Sequence, residues 1–254
     1  MNCMSKKHIL NENIIFGVVG SHGRMGTEIL SILKEKNLKF ITNENKETIF
    51  LESDVIIDFS SNEGLEQCLD ILTKIHKPFI SGSTPMNDKL YNKMITLSKN
   101  NKICWSANMS IGIAIMKKIS FMLGEFLDEN QYDCEILEKH HNKKLDSPSG
   151  TALLLGQEVA NGRNVNFKDV AKFDNRKKIR KIGDIGFSSI RGGNIFGVHE
   201  VMFIGKNEEI SLKHTAFNRK MFAIGAIKCA LKLLEKNKNG FYYPEDLLFN
   251  NKLK

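Results

Sequence analysis

The chain has 254 residues, 41% of them hydrophobic and 26% charged, which is an ordinary balance for a soluble globular protein of one large or two small domains. Its 37 basic and 29 acidic side chains give a formal net charge of +8. No apolar run reaches the ~20 residues that span a bilayer, and the first ten residues have no apolar segment typical of a secretory signal. We therefore expect a cytoplasmic protein with no membrane segment.

Cysteine spacing and the composition of the densest basic cluster argue against three kinds of site: a disulfide framework, a thiolate metal site and a nucleic-acid surface. The cysteines are odd in number and never spaced as C-x-x-C, which argues against a disulfide framework and against a thiolate metal site. They are Cys3, Cys68, Cys104, Cys134 and Cys229. The densest basic cluster, residues 172–181, lacks the interleaved aromatics of a nucleic-acid stacking surface. We expect free thiols, no metal and no nucleic acid, and a basic balance also suits an enzyme with anionic cofactor and substrate.

The first part of the chain alternates short apolar runs with helical patterns. Residues 14–19 have the pattern of a buried parallel strand, and residues 27–36 place their apolar side chains on one helix face. The alternation continues with strand patterns at 38–42, 54–59, 78–80 and 103–105 and helical patterns at 65–75 and 88–99. This order predicts an α/β domain, a parallel sheet covered by helices on both faces.

The pattern changes after about residue 110. Helical spacing at 111–127, 151–160 and 221–234 is separated by strand-like segments at 132–137, 186–191, 198–204 and 209–213. We therefore expect a second, α+β domain over residues 110–218. The chain would then return to the first domain, which would comprise residues 1–109 and 219–254.

A glycine-rich loop, Gly20, Gly23 and Gly26, lies where the first predicted strand gives way to a helix. Glycines there let the backbone turn sharply and approach a pyrophosphate, and free N–H groups at the helix start bind its charge. A plain turn is the alternative, but this position favours a dinucleotide site. His22 stands where the usual fingerprint has a glycine, and we expect it to be an exposed loop residue.

The end of the second predicted strand should contact the adenosine ribose of the cofactor. Asn43 or Glu44 can accept hydrogen bonds from the ribose hydroxyls, and Lys46 or Arg24 can meet a 2′-phosphate. The sequence is compatible with both NADH and NADPH.

Residues 138–151, EKHHNKKLDSPSGT, contain the densest chemistry in the chain. His140 and His141 can titrate near neutrality, and Lys144 can deliver a proton or balance a carboxylate. Residues 149–151 begin a predicted helix, whose backbone amides can hold a second carboxylate. Metal binding is disfavoured because H-E-x-x-H and nearby cysteine ligands are missing. Taken singly, the lysines could be plain surface charge and residues 149–151 a simple helix cap. The histidines, the lysine and the helix start together indicate a site for a small dianion.

Seven segments resemble, in order, the signature blocks of the dihydrodipicolinate reductase (4-hydroxy-tetrahydrodipicolinate reductase) family over about residues 14–230. They are GVVGSHGRMG, DVIIDFS, FISGST, WSANMSIG, EKHHNKKLDSPSGTAL, IRGGNIFGVHEVMF and HTAFNRKMFAIGA. The resemblance implies an N-terminal Rossmann dinucleotide-binding domain and a C-terminal α+β mixed-sheet domain. The second domain would bind substrate and build a homotetramer.

The resemblance also implies cofactor contacts at three places. The pyrophosphate would be bound by Gly20, Ser21, His22, Gly23, Arg24 and Met25. The ribose and nicotinamide would be approached by Gly82, Ser83 and Thr84. The nicotinamide site would be lined by Ala107, Asn108 and Met109.

By the same resemblance, His140 matches the family's acid/base and Lys144 its proton donor. The substrate's carboxylates would be held by His141, Gly150 and Thr151, with Ser149 at the same helix start. The implied reaction is hydride transfer from NADH or NADPH to the cyclic product of dihydrodipicolinate synthase, giving tetrahydrodipicolinate for lysine and diaminopimelate biosynthesis.

The sequence departs from the family pattern in three respects. Pro85, which lies outside the residues that the structure describes, replaces a common glycine after Ser83 and Thr84. Met109 stands where an aromatic is usual, and the region between Thr42 and Asp54 is shorter than in many members. The predicted catalytic set leaves out Arg191, His199, His214 and Arg219, for which a structural or interface role is at least as well supported.

Two alternatives would use part of the same pattern. Another Rossmann oxidoreductase acting on a small amino or keto acid would use the glycine loop but would not need the His140, His141 and Lys144 group. A basic nucleic-acid-binding or NAD-sensing regulator would bind DNA without turnover, and no recognition-helix pattern is evident.

Overall fold

The computed structural model describes residues 13–84, 86–173 and 179–249. The chain forms two compact units. The first contains the described residues up to Met109 and from Phe222 onward, and the second contains Ser110–Met221. Cys3 and residues 174–178 of the basic cluster lie outside the described residues.

The elements follow one another in a simple order. The first unit begins with β1 (Ile15–Val19), α1 (Arg24–Glu35), β2 (Lys39–Ile41), α2 (Lys46–Glu52), β3 (Val55–Asp58), α3 (Asn62–Leu72), β4 (Phe79–Ser81), α4 (Asp88–Leu97) and β5 (Lys102–Trp105). The second unit contains α5 (Ile111–Phe126), β6 (Tyr132–His140), α6 (Gly150–Gly162), α7 (Phe167–Val170), β7 (Ala171–Lys172), β8 (Ile185–Arg191), β9 (Gly197–Gly205) and β10 (Glu209–Ala216). The chain then continues through α8 (Lys220–Leu234), β11 (Gly240–Tyr242) and α9 (Pro244–Leu248).

The sheet of the first unit has six parallel strands in the order β11-β5-β4-β3-β1-β2. Successive residues of its strands enter two different apolar clusters. On β3, for example, Val55 and Ile57 pack in the cluster with α1 and α8, whereas Ile56 packs with α3 and α4. The sheet is therefore buried on both faces, as its nearly continuous apolar runs require.

Strand order determines where a ligand can approach this sheet. β2 and β3 lie on opposite sides of β1, so the chain leaves β1 in one direction and later returns to its other side. In open α/β sheets, a crevice forms at such a switch point, beyond the carboxyl ends of the strands. Gly20 follows β1 and Phe59 follows β3 at this edge.

The sheet of the second unit is mixed, with the order β10-β9-β6-β8-β7. β9 runs antiparallel to both β6 and β10, whereas β8 runs parallel to β6 and β7. Helices α5 and α6 cover one face, where Ile136, Val201 and Phe203 are buried. The predicted fold class, a parallel-sheet dinucleotide-type unit with an α+β mixed-sheet unit, is confirmed.

The other face of the mixed sheet carries apolar side chains that alternate with the buried ones. Leu137, Ile190, Met202 and Ile204 lie on this face, by the pairing of β6 with β8 and β9. Ile190 is 44% exposed and Ile204 38% exposed. This open face (Leu137, Ile190, Met202 and Ile204) contrasts with the helix-covered one.

Some elements differ from the sequence expectations. β6 continues three residues beyond the expected end at residue 137, so His140 ends a strand instead of lying in a loop. α2 occupies the shortened region after Thr42, where no element was expected. Its start is stabilised by Asn45, whose side chain accepts a hydrogen bond from the Glu47 amide at 2.9 Å.

The described cysteines Cys68, Cys104, Cys134 and Cys229 are buried free thiols. Among the residues that the structure describes, no helix is both long and apolar enough to cross a bilayer.

Candidate active site

The glycine loop after β1 needs glycine for steric reasons. Gly20 has φ = +77°, and a Cβ there would lie 2.5 Å from the Phe59 carbonyl oxygen. A Cβ on Gly26 would overlap the carbonyl of Gly20. The loop therefore folds tightly against the end of β3, and side chains at these two positions would force it open.

The start of α1 lacks a side-chain cap. In α2 to α6, the N-cap residue accepts a hydrogen bond from a helix amide through its side chain; these residues are Asn45, Ser61, Asn87, Ser110 and Ser149. The N-cap of α1 is Gly23, which has no side chain to do so. The first amides of α1 are thus left to an outside acceptor, and the helix dipole favours an anion there.

A cleft of about 500 Å³ opens at this helix start. It is lined by Val18, Val19, Gly20, Ser21, His22, Gly23, Thr42, Asn43, Glu44, Lys46 and Ile49. The lining fits a dinucleotide, because the glycine backbone and a lysine suit phosphate while Asn43 and Glu44 offer acceptors. The side chain of Asn43 already accepts a hydrogen bond from the Asn45 amide at 2.9 Å. Glu44 is therefore the better candidate to accept hydrogen bonds from a ribose.

Three predicted loop residues are placed differently from one another. His22 is exposed at the cleft, with its Nδ1 3.4 Å from Ser21 Oγ. Arg24 and Met25 form the first turn of α1. Arg24 is exposed, whereas Met25 packs against the apolar core of the first unit.

A buried carboxylate joins the ends of β3 and β4. Asp58 is fully buried and accepts from Ser81 Oγ at 2.9 Å and Ser83 Oγ at 2.8 Å. It also accepts from the Ser60 amide at 3.1 Å. Burial raises the pKa of Asp58 above its ordinary value, against the opposing effect of these donors. Asp58 thereby fixes the loop that contains Gly82, Ser83 and Thr84.

The predicted nicotinamide residues lie on the loops after β4 and β5. Ser83 is buried, whereas Thr84 and Ala107 are exposed. Asn108 is held by Ser106, whose Oγ accepts from the Asn108 amide at 3.1 Å. Met109 is 2% exposed and packs in the apolar core. Its side chain is thus committed to packing, whereas Gly82 and Asn108 are partly exposed.

In the second unit, Glu138 and His140 form a buried pair on the helix-covered face of β6. Their spacing of two residues places both side chains on one face of the strand. The Glu138 Oε2 atom lies 2.6 Å from His140 Nδ1. Arg191, the partner of His140 in the pairing of β6 with β8, contacts both oxygens of Glu138, at 2.6 and 2.8 Å. The carboxylate therefore joins an imidazole to a guanidinium.

The pKa values of Glu138 and His140 are both lowered. Burial alone would raise the pKa of Glu138, but the hydrogen bonds from Arg191 and neighbouring side chains outweigh burial and hold the pKa at about 2. Burial lowers the pKa of His140, and the cationic Lys144 and Arg191 lower it further, while Glu138 opposes them. At neutral pH, Glu138 is thus a carboxylate beside a mainly neutral imidazole.

Ser149 connects this pair to the start of α6. Its amide donates to Glu138 Oε1 at 3.2 Å, and its hydroxyl accepts from the Ala152 amide at 3.2 Å. The same hydroxyl lies 3.0 Å from Nε2 of the buried His199. Ser149 is only 2% exposed, so its polar groups organise the helix start and are not free for a ligand.

The other predicted substrate contacts are more open. Gly150 is exposed, and no heavy atom lies within 4 Å of a Cβ built on it. His141 and Thr151 are partly exposed. Lys144 lies between them in sequence, with its Nζ 2.7 Å from Asp146 Oδ1. These residues can receive an anion next to the buried pair.

The loop between β6 and α6 is held by backbone hydrogen bonds to the turn after β8. The Gly192 amide donates to the His140 carbonyl at 2.9 Å, and the Asn142 amide donates to the Gly193 carbonyl at 3.2 Å.

His214 and Arg219, which were also left out of the predicted catalytic set, lie farther along this unit. His214 Nε2 is 3.3 Å from Ser110 Oγ, and the Arg219 guanidinium lies 5.1 Å from the centre of the Phe196 ring.

Within the described residues, no group of three or more His, Cys, Asp and Glu side chains is placed to hold a metal ion. The chemistry available in the second unit is that of an imidazole, an ammonium group and a helix N-terminus.

The sequence matches two family models over most of its length. The model "Dihydrodipicolinate reductase, C-terminus" matches residues 112–248, and "Dihydrodipicolinate reductase, N-terminus" matches residues 31–109. Among curated relatives, the 4-hydroxy-tetrahydrodipicolinate reductase of Campylobacter lari is 42% identical over 243 residues, which cover 92% of this chain and 99% of that protein. The enzyme of the same name from the Wolbachia of Brugia malayi is 38% identical, over 95% and 94% of the two chains. The chain belongs to the dihydrodipicolinate reductase family.

Solved structures agree with this family at the level of the fold. A dipicolinate-bound dihydrodipicolinate reductase from Paenisporosarcina sp. TG-14 is 20% identical and superposes with a TM-score of 0.71, over 91% of this chain and 97% of that one. Members of the dihydrodipicolinate reductase family are NAD(P)H-dependent oxidoreductases. The N-terminal model begins at residue 31, inside α1, so the fit of the glycine loop to a dinucleotide rests on the loop's own geometry.

Sequence reasoning did not identify the buried side chains that hold the predicted site residues in place. Asp58 and Glu138 were not assigned a role from the sequence, and Arg191 and His199 were named but left out of the predicted catalytic set. For Glu138, a signal was present, because a strand that continues to residue 140 puts it on the face of His140. Arg191 and His199 could not be joined to it from sequence, since their proximity depends on the order of β6, β8 and β9.

Proposed function

We propose that this protein is a 4-hydroxy-tetrahydrodipicolinate reductase that uses NADH or NADPH. The observation that carries the proposal is the juxtaposition, in the second unit, of His140, which is hydrogen-bonded to a buried carboxylate, with the start of α6, where Gly150 is exposed. A small dicarboxylate suits this place, because a helix N-terminus and nearby cations favour negative charge. Membership in the family supports the same substrate.

The residues would divide the work between binding and proton transfer. The amides of Gly150 and Thr151 at the start of α6 would hold one carboxylate, and His141 with Lys144 would balance charge. Lys144 would supply a proton to the ring, with His140 as the acid/base beside it. A bound nicotinamide supplies the hydride. Ser149 enters the proposal as the residue that positions the helix start, since its polar groups are used internally.

In the first unit, the uncapped start of α1 and residues 20–23 would hold the pyrophosphate. Glu44 would accept from the adenosine ribose, and Lys46 would meet a 2′-phosphate when NADPH binds. Gly82, Ser83 and Thr84, fixed by Asp58, would approach the ribose and nicotinamide, together with Ala107 and Asn108.

We also propose a cytoplasmic homotetramer. The open face of the second sheet supports this assembly, because exposed apolar side chains on a sheet mark a surface that another chain can cover. The buried free thiols are compatible with a reducing compartment.

The test is oxidation of NADH and of NADPH, followed by nicotinamide absorbance, with substrate generated in place by dihydrodipicolinate synthase from pyruvate and aspartate semialdehyde. Oxidation that requires the synthase is the expected result, and the ratio of the two rates gives the cofactor preference. A folded protein that binds either cofactor but oxidises neither in this assay would show that the proposed substrate is wrong.

A further inference from the structure

The hydrogen bond between His140 and Glu138 determines which imidazole nitrogen carries the proton. Glu138 is fully buried and accepts at both oxygens: Oε1 receives the Ser149 amide and Arg191 Nη2, and Oε2 receives Arg191 Nη1. An ionised carboxylate can only accept. The neutral imidazole must therefore carry its proton on Nδ1, which donates to Oε2, and Nε2 is left as the basic atom.

Two neighbours pack against the ring of His140. Gly197 begins β9 next to it, and a Cβ built at this position would lie 3.2 Å from His140 Nε2. The His199 ring packs edge-on, with its centroid 5.1 Å from that of His140. The charged groups near the ring are Glu138 on its own strand, Arg191 on β8 and Lys144 in the following loop.

We infer that Glu138, braced by Arg191, is a positioning residue that fixes the Nδ1–H tautomer of His140 and so directs Nε2 toward the reacting ligand. This inference rests on the proposed function for its consequence in turnover, but its structural part can be measured without substrate. Arg191 acts on His140 indirectly, through Glu138, because its two hydrogen bonds hold that carboxylate in place and ionised.

The substitution Glu138→Gln gives a definite expectation about the tautomer. Arg191 and the Ser149 amide have only donors to offer. The amide oxygen of the new side chain satisfies more of them at the Oε1 position, so its NH₂ group would face His140 Nδ1. Nδ1 must then accept, and the proton moves to Nε2. The variant therefore reverses the tautomer while keeping the shape of the side chain.

The experiment is a ¹⁵N NMR titration of histidine-labelled protein, with the His140 signal assigned by its loss in His140→Gln. We expect a protonated Nδ1 in the neutral ring of the wild type and a protonated Nε2 in Glu138→Gln. Glu138→Asp keeps a carboxylate and should keep the wild-type tautomer. A wild-type ring protonated on Nε2, or a Glu138→Gln ring still protonated on Nδ1, overturns the inference. If Glu138→Gln does not fold, the wild-type and Glu138→Asp spectra decide.

Kinetics supplies the second measurement. Glu138→Gln should lower kcat at least about tenfold, since general acid–base catalysis contributes about 10²–10⁴-fold. The KM for NADH should stay within about twofold, and Glu138→Asp should recover part of kcat. An unchanged kcat in a variant with a reversed tautomer also overturns the inference. An inactive wild type with the expected tautomer would instead count against the proposed function alone.

Glu135→Gln is the matched control. Glu135 lies on the same strand and is also paired with an arginine, Arg180, but its side chain is on the opposite face. It should leave both the His140 tautomer and kcat unchanged.

Discussion

His140 and Lys144 are held by carboxylates of different exposure. The partner of His140 is fully buried, whereas Asp146, the partner of Lys144, is 56% exposed. We expect His140→Gln and Lys144→Ala each to lower kcat about 10²–10⁴-fold, because each removes a proton-transfer group. Cofactor dissociation constants, measured by nicotinamide fluorescence, should stay nearly unchanged. Lys143→Ala, at an exposed position in the same loop, is the control, and unchanged turnover in either variant would remove that residue from the mechanism.

His199 should make stability depend on pH. Burial first, and then the charge of His140, lowers the pKa of His199 from 6.5 to about 3. Between those values, the unfolded chain binds a proton that the folded protein does not, so the free energy of unfolding falls as the pH drops through this window. The loss reaches up to about 5 kcal/mol, at about 1.4 kcal/mol per pKa unit.

Urea unfolding of the wild type and His199→Gln between pH 7 and pH 3.5 tests this effect. The variant should lose less stability over that range, because the titrating ring is gone. His22→Gln, at an exposed loop position, serves as the control. Parallel curves for the wild type and His199→Gln would contradict the prediction.

At the scale of elements, the start of α1 carries a separate prediction. Gly23 is exposed at the cleft, and a Cβ there lies 3.2 Å from the Gly20 carbonyl oxygen. Gly23→Val would fill the approach to the uncapped amides, so we expect NADH affinity to fall at least about tenfold, by the role of such glycines in close pyrophosphate approach. Calorimetric titration with NADH measures it. Gly240→Ala, in β11 where a Cβ meets only ordinary contacts, should bind normally; retained affinity in Gly23→Val would place the pyrophosphate elsewhere.

Elements with strong local patterns could be predicted from the sequence. Buried runs such as residues 14–19 and the helix around Ile29 are determined by apolar periodicity, which a single sequence displays. α2 and α9 were missed because they have only seven and five residues, too few to establish a helical period. The buried group around Glu138 could not be predicted, because strand pairing alone brings Arg191 and His199 to it across 53 and 61 residues of chain.

At the scale of the whole molecule, the open face of the second sheet predicts the assembly. Ile190 and Ile204 are 44% and 38% exposed in the single chain, so Ile190→Asp with Ile204→Asp should cost the monomer little stability. In a tetramer that covers this face, the two charges would be buried without partners, which is strongly unfavourable. We therefore expect the double variant to dissociate while it keeps its fold.

Size-exclusion chromatography with light scattering measures the mass, and circular dichroism verifies the fold. Leu51→Asp is the control, because Leu51 is 63% exposed on α2 of the first unit and should leave the tetramer intact. A folded double variant that retains a tetramer's mass would show that the subunits associate through another surface. A monomeric wild type would show that the proposed tetramer is wrong, and the exposed apolar residues of this sheet would then need a different partner.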